Sequence, residues 1–364
     1  FKVLDAGMFR SALTKYGLPS TLDGGSSVDA LKEVTQHRLS QNYSLAFSGG
    51  NDVGKFRASL LSSTNQGFLK KSSLDKYIGT FGGQYKFLDQ RLTLDFNLIA
   101  ANYTETVTSV SNTVGSTGNL LTAALSWNPT VPFRDKNGLY ILNSNGTINP
   151  LATSDAYSDI GNVSEYLGNV SAAYKILNNL EYKFLYGVNR GTGDRKVNIE
   201  GFLVGIPNLS GQGNAAILHS ELTSQTFTHP LNYTTNLTTN LRLEALAGYE
   251  YYKSKTSGGG ITASGFNTNL DQANRINLKY TDIFQNAKTQ QPYGTGASPL
   301  TEIQSYFARG TFNYSDKYLL TATIRADGSS KFGVNKKYGY FPSVGAKWVI
   351  NKENFMANST LFSS

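Results

Sequence analysis

The chain has 364 residues, with 33 Lys and Arg against 25 Asp and Glu, giving a net charge of +8. Charged residues make up only 16% and aromatics reach 12%; that many aromatics excludes a disordered chain, and the charge is well under the roughly 25% of an ordinary soluble domain. Collagen and coiled coil are excluded because there is neither a Gly-x-y period nor a sustained heptad, and with no Cys there are no disulfides, thiolate zinc sites or cysteine nucleophiles.

The first 38 residues differ from the rest. Asp5 can cap a helix with Met8, Phe9, Leu13 and Tyr16 as its apolar positions and Gly17 as its stop. A second short helix is expected over 28–34, with Leu31 and Val34 on one side. The chain starts at Phe1 without an initiator Met or a signal-peptide pattern, which reads as a processed chain or a fragment.

From about Asn42 onward the period is 2. In 241–251 the odd positions are Leu241, Leu243, Ala245, Ala247, Tyr249 and Tyr251, while Arg242, Glu244 and Glu250 fall between them. Such a segment is a strand with two chemically different faces. The same alternation recurs in Leu92 to Ala100, Leu180 to Val188 and Tyr318 to Ala326. The expected strands are 40–48, 55–64, 74–87, 91–103, 164–176, 180–190, 226–238, 241–254, 302–314, 317–328 and 338–350. Pro230 and Pro342 lie within them and predict bulges or ends of pairing, because Pro lacks a ladder donor.

The connections alternate in length. Short turns are expected at Asp89-Gln90, Asn178-Asn179, Thr239-Asn240 and Ser315-Asp316, and long polar loops at 104–163, 191–225 and 255–301. Loops that are long at one end and tight at the other are the habit of an outer-membrane barrel. Tyr103, Tyr251, Tyr252, Tyr314, Tyr318, Tyr338, Tyr340 and Trp348 crowd toward strand ends, which suits the two interfacial girdles of such a barrel. A soluble β protein with a Tyr-rich surface is the alternative reading. No apolar run approaches the ~18 residues of a membrane-spanning helix, and Leu120 to Trp127 is the best stretch. The basic excess is spread too thinly for nucleic-acid binding.

Residues with chemical potential are few. His37, His219 and His229 are the only histidines; His219 and His229 lack the spacing and companions of a zinc site. Gly191-Thr192-Gly193-Asp194-Arg195-Lys196 lacks the ending of a phosphate loop and reads as loop glycine, as does Gly211-Gln212-Gly213. Asp327-Gly328-Ser329-Ser330 reads as a turn at the end of a strand. No paired carboxylates suggest acid–base work, and no catalytic, metal or cofactor residue is assigned. Loop Tyr, Asn and Gln could bind sugars by stacking and hydrogen bonding, although no residue is singled out as substrate-binding.

The C-terminal part is more specific. Ser305-Tyr306-Phe307-Ala308-Arg309-Gly310 leads into Asn313-Tyr314-Ser315-Asp316-Lys317-Tyr318-Leu319-Leu320-Thr321-Ala322-Thr323. Then come Arg325-Ala326-Asp327-Gly328-Ser329-Ser330-Lys331-Phe332, Gly339-Tyr340-Phe341-Pro342-Ser343, Trp348 and Glu353-Asn354-Phe355. This order closely resembles the barrel of SusC/RagA-type TonB-dependent transporters of Bacteroidetes outer membranes. Gln41 to Gly50 looks like that family's first barrel strand, and Lys86 to Leu92 like its early hairpin. Where the family usually has an Asp-Trp pair before that strand, this chain has Val28-Asp29.

The resemblance implies an all-β fold, part of a large antiparallel transmembrane β-barrel, with about 11 of about 22 strands, short periplasmic turns and long extracellular loops. It implies a partial chain: residues 1–38 as a linker with short helices after an absent plug domain, and 39–364 as the N-terminal half of the barrel. Neither a plug-like stretch nor a TonB box is visible, and the C-terminal strands are missing. An open half-barrel would leave edges that lipid does not tolerate. The implied function is active import of oligosaccharides or peptides across the outer membrane of a Gram-negative bacterium, energised through TonB and assisted by a SusD-like surface lipoprotein. The protein would be no enzyme and would need no cofactor. A passive porin-like barrel and a secreted β-rich adhesin or carbohydrate-binding protein are the rival readings.

Overall fold

The computed structural model describes residues 3–109, 119–203, 212–266, 279–293 and 300–356. Helix α1 (Ala6–Lys15) begins as expected: the Asp5 carboxylate accepts a hydrogen bond from the Met8 amide. It stops before Gly17, whose φ of +63° suits a residue without Cβ. Helix α2 (Ala30–Val34) is capped by Asp29.

The long strands then follow. They are β1 (Gln41–Gly50), β2 (Gly54–Gln66), β3 (Ser73–Phe87) and β4 (Leu92–Thr106). An insert holds α3 (Leu120–Ser126), the small hairpin of β5 (Asn143–Ser144) and β6 (Thr147–Ile148), and α4 (Pro150–Ala156). The meander resumes with β7 (Tyr157–Leu177), β8 (Leu180–Ile199), β9 (Asn214–Thr238) and β10 (Leu241–Phe266). It ends with the short β11 (Ala287–Tyr293), then β12 (Thr301–Tyr314), β13 (Tyr318–Ser329) and β14 (Tyr338–Trp348). All pairs are antiparallel, in the order β1-β2-β3-β4-β7-β8-β9-β10-β12-β13-β14, with β11 beside the far half of β10. Among the described residues, β1 and β14 each have one partner strand. Each of the strands expected from the alternation is present.

Register joins the alternations into two continuous faces. One rung runs Leu45–Leu60–Gly79–Ala100–Tyr166 across β1, β2, β3, β4 and β7. Another runs Leu231–Ala247–Ala308–Ile324–Pro342 across β9, β10, β12, β13 and β14. Their neighbours on the same face include Phe47, Phe96, Tyr186, Phe312 and Val344. Large apolar side chains here stand open to the surroundings: Leu60 is 65% exposed and Val344 74%. Such a continuous exposed apolar face is far beyond the few hundred Å² that a soluble monomer tolerates. The opposite face carries Arg57, Asp95, Glu165, Lys183, Glu250, Arg309, Arg325 and Lys347.

The connections at one end span only 51–53, 88–91, 178–179, 239–240 and 315–317. Ser315 and Asp316 both have positive φ, the primed turn that matches strand twist. All the long connections lie at the other end, as the sequence pattern predicts.

Several expectations need correction. The segments 191–225 and 255–301 are not wholly loop: β8, β9 and β10 reach 20, 25 and 26 residues. Beyond the apolar belt the same-face positions become Thr192, Asp194, His219, Glu221, Lys253 and Lys255, so the apolar period fades while backbone pairing continues. Gly191 to Lys196 and Gly258 to Gly260 therefore lie inside strands, while Gly211 falls outside the described residues. Asp327 and Gly328 are likewise within β13, and the turn follows Ser329. Tyr103 and Tyr252 point to the polar face, away from the other aromatics of the girdle. Pro230 behaves as expected toward β8, where the ladder omits Lys183 and Phe184. Pro342 instead pairs in register with Ile324 in β14.

The segment 104–163 is also more than polar loop. Asn119 and Asn149 cap α3 and α4, each accepting two backbone amides. These helices pack with α2, and Ala30, Val34, Leu69, Leu120, Trp127 and Phe133 form a buried cluster at the long-loop end. A second cluster joins Tyr140, Ile148, Ala152 and Ala156 to Phe202 and Leu203. The N-terminal segment is tied down by Val28 N–H to Pro129 O and by Gln36 N–H to Phe68 O. The Arg10 guanidinium holds the Asp23 carboxyl below its usual range through a 2.8 Å hydrogen bond, assisted by the Gly25 amide. Among the described residues no helix is long and apolar enough to cross a membrane, which says nothing of strands.

Candidate functional site

On the polar face, charged side chains of neighbouring strands meet around one rung. Thr228, Glu250, Ser305, Asp327 and Gly339 lie in register across β9, β10, β12, β13 and β14. Ser305 is small and fully buried, which lets side chains from β10 and β13 meet above it. Arg325 makes this bridge: its Nη2 donates to Glu250 Oε1 at 2.8 Å and its Nε to Asp327 Oδ1 at 2.7 Å. Thr228 Oγ1 donates to the other Glu250 oxygen at 3.4 Å.

Arg325 also stands in register between Phe307 on β12 and Phe341 on β14, with its guanidinium carbon 5.6 Å from the Phe307 ring centre. A guanidinium held over the Phe307 ring gains from its quadrupole. Around this network opens a concavity of about 710 Å³, lined also by Thr226, Tyr252, Phe332 and Lys336. Its cations, Arg325 and Lys336, balance its carboxylates, Glu250 and Asp327. Aromatic faces beside balanced hydrogen-bonding groups suit a polar solute of low net charge.

A second ion pair closes the polar face near the long-loop end. Asp159 is fully buried; Arg195 Nε donates to its Oδ1 at 2.7 Å, and Tyr157 Oη donates to Oδ2 at 2.9 Å. At the tight-turn end, the Glu353 carboxylate accepts from Tyr318 Oη at 2.6 Å, Lys317 Nζ at 3.0 Å and Trp348 Nε1 at 3.1 Å. These donors, the Tyr318 hydroxyl foremost, lower the Glu353 pKa to about 2.

The histidines fall outside the polar site. His219 Nδ1 is 2.8 Å from Asp194 Oδ1, and His229 Nδ1 is 2.7 Å from Tyr182 Oη with Phe184 and Tyr249 rings beside it. Both stand on the apolar-face alternation. The Glu250–Arg325–Asp327 network was missed in the sequence. Its members were recognisable as polar-face residues, but the register linking β10 to β13 through β12 has no local signal.

A meandering antiparallel sheet with one continuous apolar face, charges on the other and its long connections at one end is a stretch of transmembrane β-barrel wall. No family model matches the chain. Curated relatives do. A TonB-dependent receptor, P3, of Formosa agariphila is 28% identical over 363 residues, covering 98% of this chain and 35% of the relative. The TonB-dependent receptor SusC of Bacteroides thetaiotaomicron is 23% identical over 371 residues, covering 95% of this chain and 34% of the relative. A solved structure of the RagAB peptide transporter matches 97% of this chain and 40% of its own with a TM-score of 0.77 at 18% identity. The resemblance to SusC/RagA-type TonB-dependent transporters therefore stands in sequence and in fold. The chain spans about a third of the length of the curated relatives it matches.

Proposed function

We propose that this chain is part of the wall of an outer-membrane importer driven through TonB, with the apolar face in lipid and the polar face lining the lumen. The observation that carries the reading is the apolar face itself, unbroken across eleven paired strands with every long connection at one end. The long-loop end then faces the exterior and the tight turns face the periplasm. In this orientation residues 3–38, packed against 119–152, belong to an external cap rather than to the linker after a plug domain that the sequence suggested. Residues 41–348 supply wall and loops.

The lumen network of Glu250, Arg325 and Asp327 with its aromatic neighbours supports an oligosaccharide or peptide as the solute, and the cap supports a SusD-like lipoprotein docking from outside. The role is transport, not catalysis. The test is uptake of labelled oligosaccharides and peptides by cells carrying the native full-length protein, with TonB intact or inactivated. Uptake that needs both supports the importer. Uptake indifferent to TonB indicates a passive pore, and a protein released without detergent indicates the adhesin.

A further inference from the structure

We infer that the lipid-facing wall of β1–β4 carries a binding site for a phosphorylated glycolipid of the outer leaflet, with an acyl-chain trough below and a basic recess above. The inference rests on the membrane reading of the apolar face and adds to it a specific lipid ligand.

The trough follows from the rung Leu45–Leu60–Gly79–Ala100–Tyr166. Gly79 and Ala100 are small while Leu45, Leu60 and Tyr166 on either side are large, so the wall is indented where β3 meets β4. The space measures about 600 Å³. At Gly79 an added Cβ would lie 3.6 Å from the Leu60 side chain, an ordinary contact, so the backbone does not demand glycine there. The next rung toward the loops is Tyr43–Ser62–Tyr77–Asn102–Ser164, in which Asn102 Nδ2 donates to Ser164 Oγ at 3.0 Å. Here the face changes from apolar to polar, with tyrosines at the change, as at a membrane interface.

The recess lies beyond the ends of the same strands. Gln66 on β2 pairs with Ser73 on β3, and both continue the alternation of Ser62 and Tyr77. With His37, Arg38, Lys70 and Lys71 they line a hollow of about 690 Å³. Four residues separate the polar rung from this pair, about 10 Å of height in a tilted strand. That exceeds the headgroup layer of about 5–8 Å on each side of a bilayer, so a phosphate carried on a sugar headgroup reaches the recess better than that of a simple phospholipid.

The local charges favour an anion without being fully free. Lys71 Nζ donates to Ser154 O at 2.6 Å and stands 3.7 Å from Asp155, which also lines the recess; Lys70 Nζ is 3.9 Å from Glu33. Asp75, between trough and recess, accepts from Thr64 at 2.7 Å. Arg38 has no ion pair among the described residues. Three cations, Arg38, Lys70 and Lys71, against Asp155 and the neighbouring Glu33 leave the recess positive.

The test uses the native full-length protein in lipid nanodiscs, with bound lipid counted by native mass spectrometry. Bisphosphorylated lipid A should be retained at least tenfold over its dephosphorylated form and over phosphatidylethanolamine. A double variant, Arg38→Ala with Lys70→Ala, should abolish the preference for phosphate, and Gly79→Leu should lower retention of both lipid A forms by filling the trough. Each variant must keep the heat-modifiable gel shift of a folded barrel. Equal retention of the phosphorylated and dephosphorylated lipids, or no change in either folded variant, overturns the site. Displacement of lipid A by millimolar inorganic phosphate alone overturns the trough's part in it. A wild-type protein that does not enter nanodiscs overturns the membrane reading as well.

Discussion

Replacing Ala245 with Arg tests the facing of the wall directly. Ala245 lies on β10 between Tyr233 and Gly310 in register, with no acid among these partners. The apolar alternation on this strand runs from Leu241 to Tyr251. A strand tilted by about 40° gains roughly 2.5 Å of height per residue, so the belt is about 25 Å tall, the height expected of an outer-membrane barrel. Ala245 stands about 10 Å above the lower edge, close to the midplane, where an Arg on the lipid face costs about 2–4 kcal/mol. Leu241, at the edge, should accept Arg for about 0–1 kcal/mol. The internal control is Asn232→Arg. Asn232 lies at nearly the same height, but on the polar face between Glu181 and Leu246. It should change stability by less than about 0.5 kcal/mol, as an ordinary surface substitution does. Reversible urea unfolding of the full-length protein from lipid vesicles gives the three values. Equal costs at Ala245 and Asn232, or no dependence on depth between Ala245 and Leu241, would refute the assignment of faces.

Three further outcomes follow from the geometry. Cysteine at Lys136, exposed in the insert, should react with an impermeant maleimide on intact cells, whereas cysteine at Asn178 in a tight turn should react only after the outer membrane is permeabilised; the reverse pattern would invert the orientation. Arg195→Ala strands the buried carboxylate of Asp159 and should cost about 3–5 kcal/mol, while Arg190→Ala, which breaks the exposed pair with Glu221 at 3.1 Å, should cost no more than about 1 kcal/mol; similar losses would contradict the burial of Asp159. The Glu353 pKa is lowered from 4.5 to about 2 in the folded state, so its contribution is complete above the unfolded value and is lost as pH falls from 4.5 toward 2. Fluorescence of Trp348 should report release of 349–356 in that window, with Trp348→Phe as the blank, and Glu353→Gln should remove the transition.

The legible part of the fold is the part whose side chains alternate against two different media. Leu241 to Tyr251 could be read from sequence because lipid and lumen demand opposite residues at successive positions. From Lys253 to Gly260 both faces are polar or small, so β10 continues there unannounced. The insert helices did leave a local signal: Asn149 followed by Pro150 is a standard helix start. Their packing against α2 was not readable, since Val34 and Trp127 meet across 93 residues. The same limit hid the lumen site. Glu250 and Arg325 each announce a polar face, but that one bridges to the other over Ser305 depends on two registers at once.

The difference between what lipid dictates and what pairing dictates shapes the external mouth. Ladder hydrogen bonds are indifferent to side-chain polarity, so a wall can rise past the membrane as far as neighbouring strands accompany it. β9 and β10 pair from Leu241 to Ser264, and β11 takes over the free side of β10 from Gly260. At the top, Tyr280 stacks on Phe266 at 4.5 Å and closes over Gly213, whose φ of +69° and 2.4 Å clearance leave no space for a Cβ. β13, in contrast, ends at Ser329, only two residues beyond Asp327. The wall is therefore high over β7–β10 and low over β13–β14, and the low rim is where Phe332 and Lys336 lead down to Arg325. The described wall thus presents a tall, closed flank at β7–β10 and the aromatic, charge-balanced concavity beside the low rim at β13–β14. The height of the rim is thus set by where backbone pairing stops rather than by where the membrane ends.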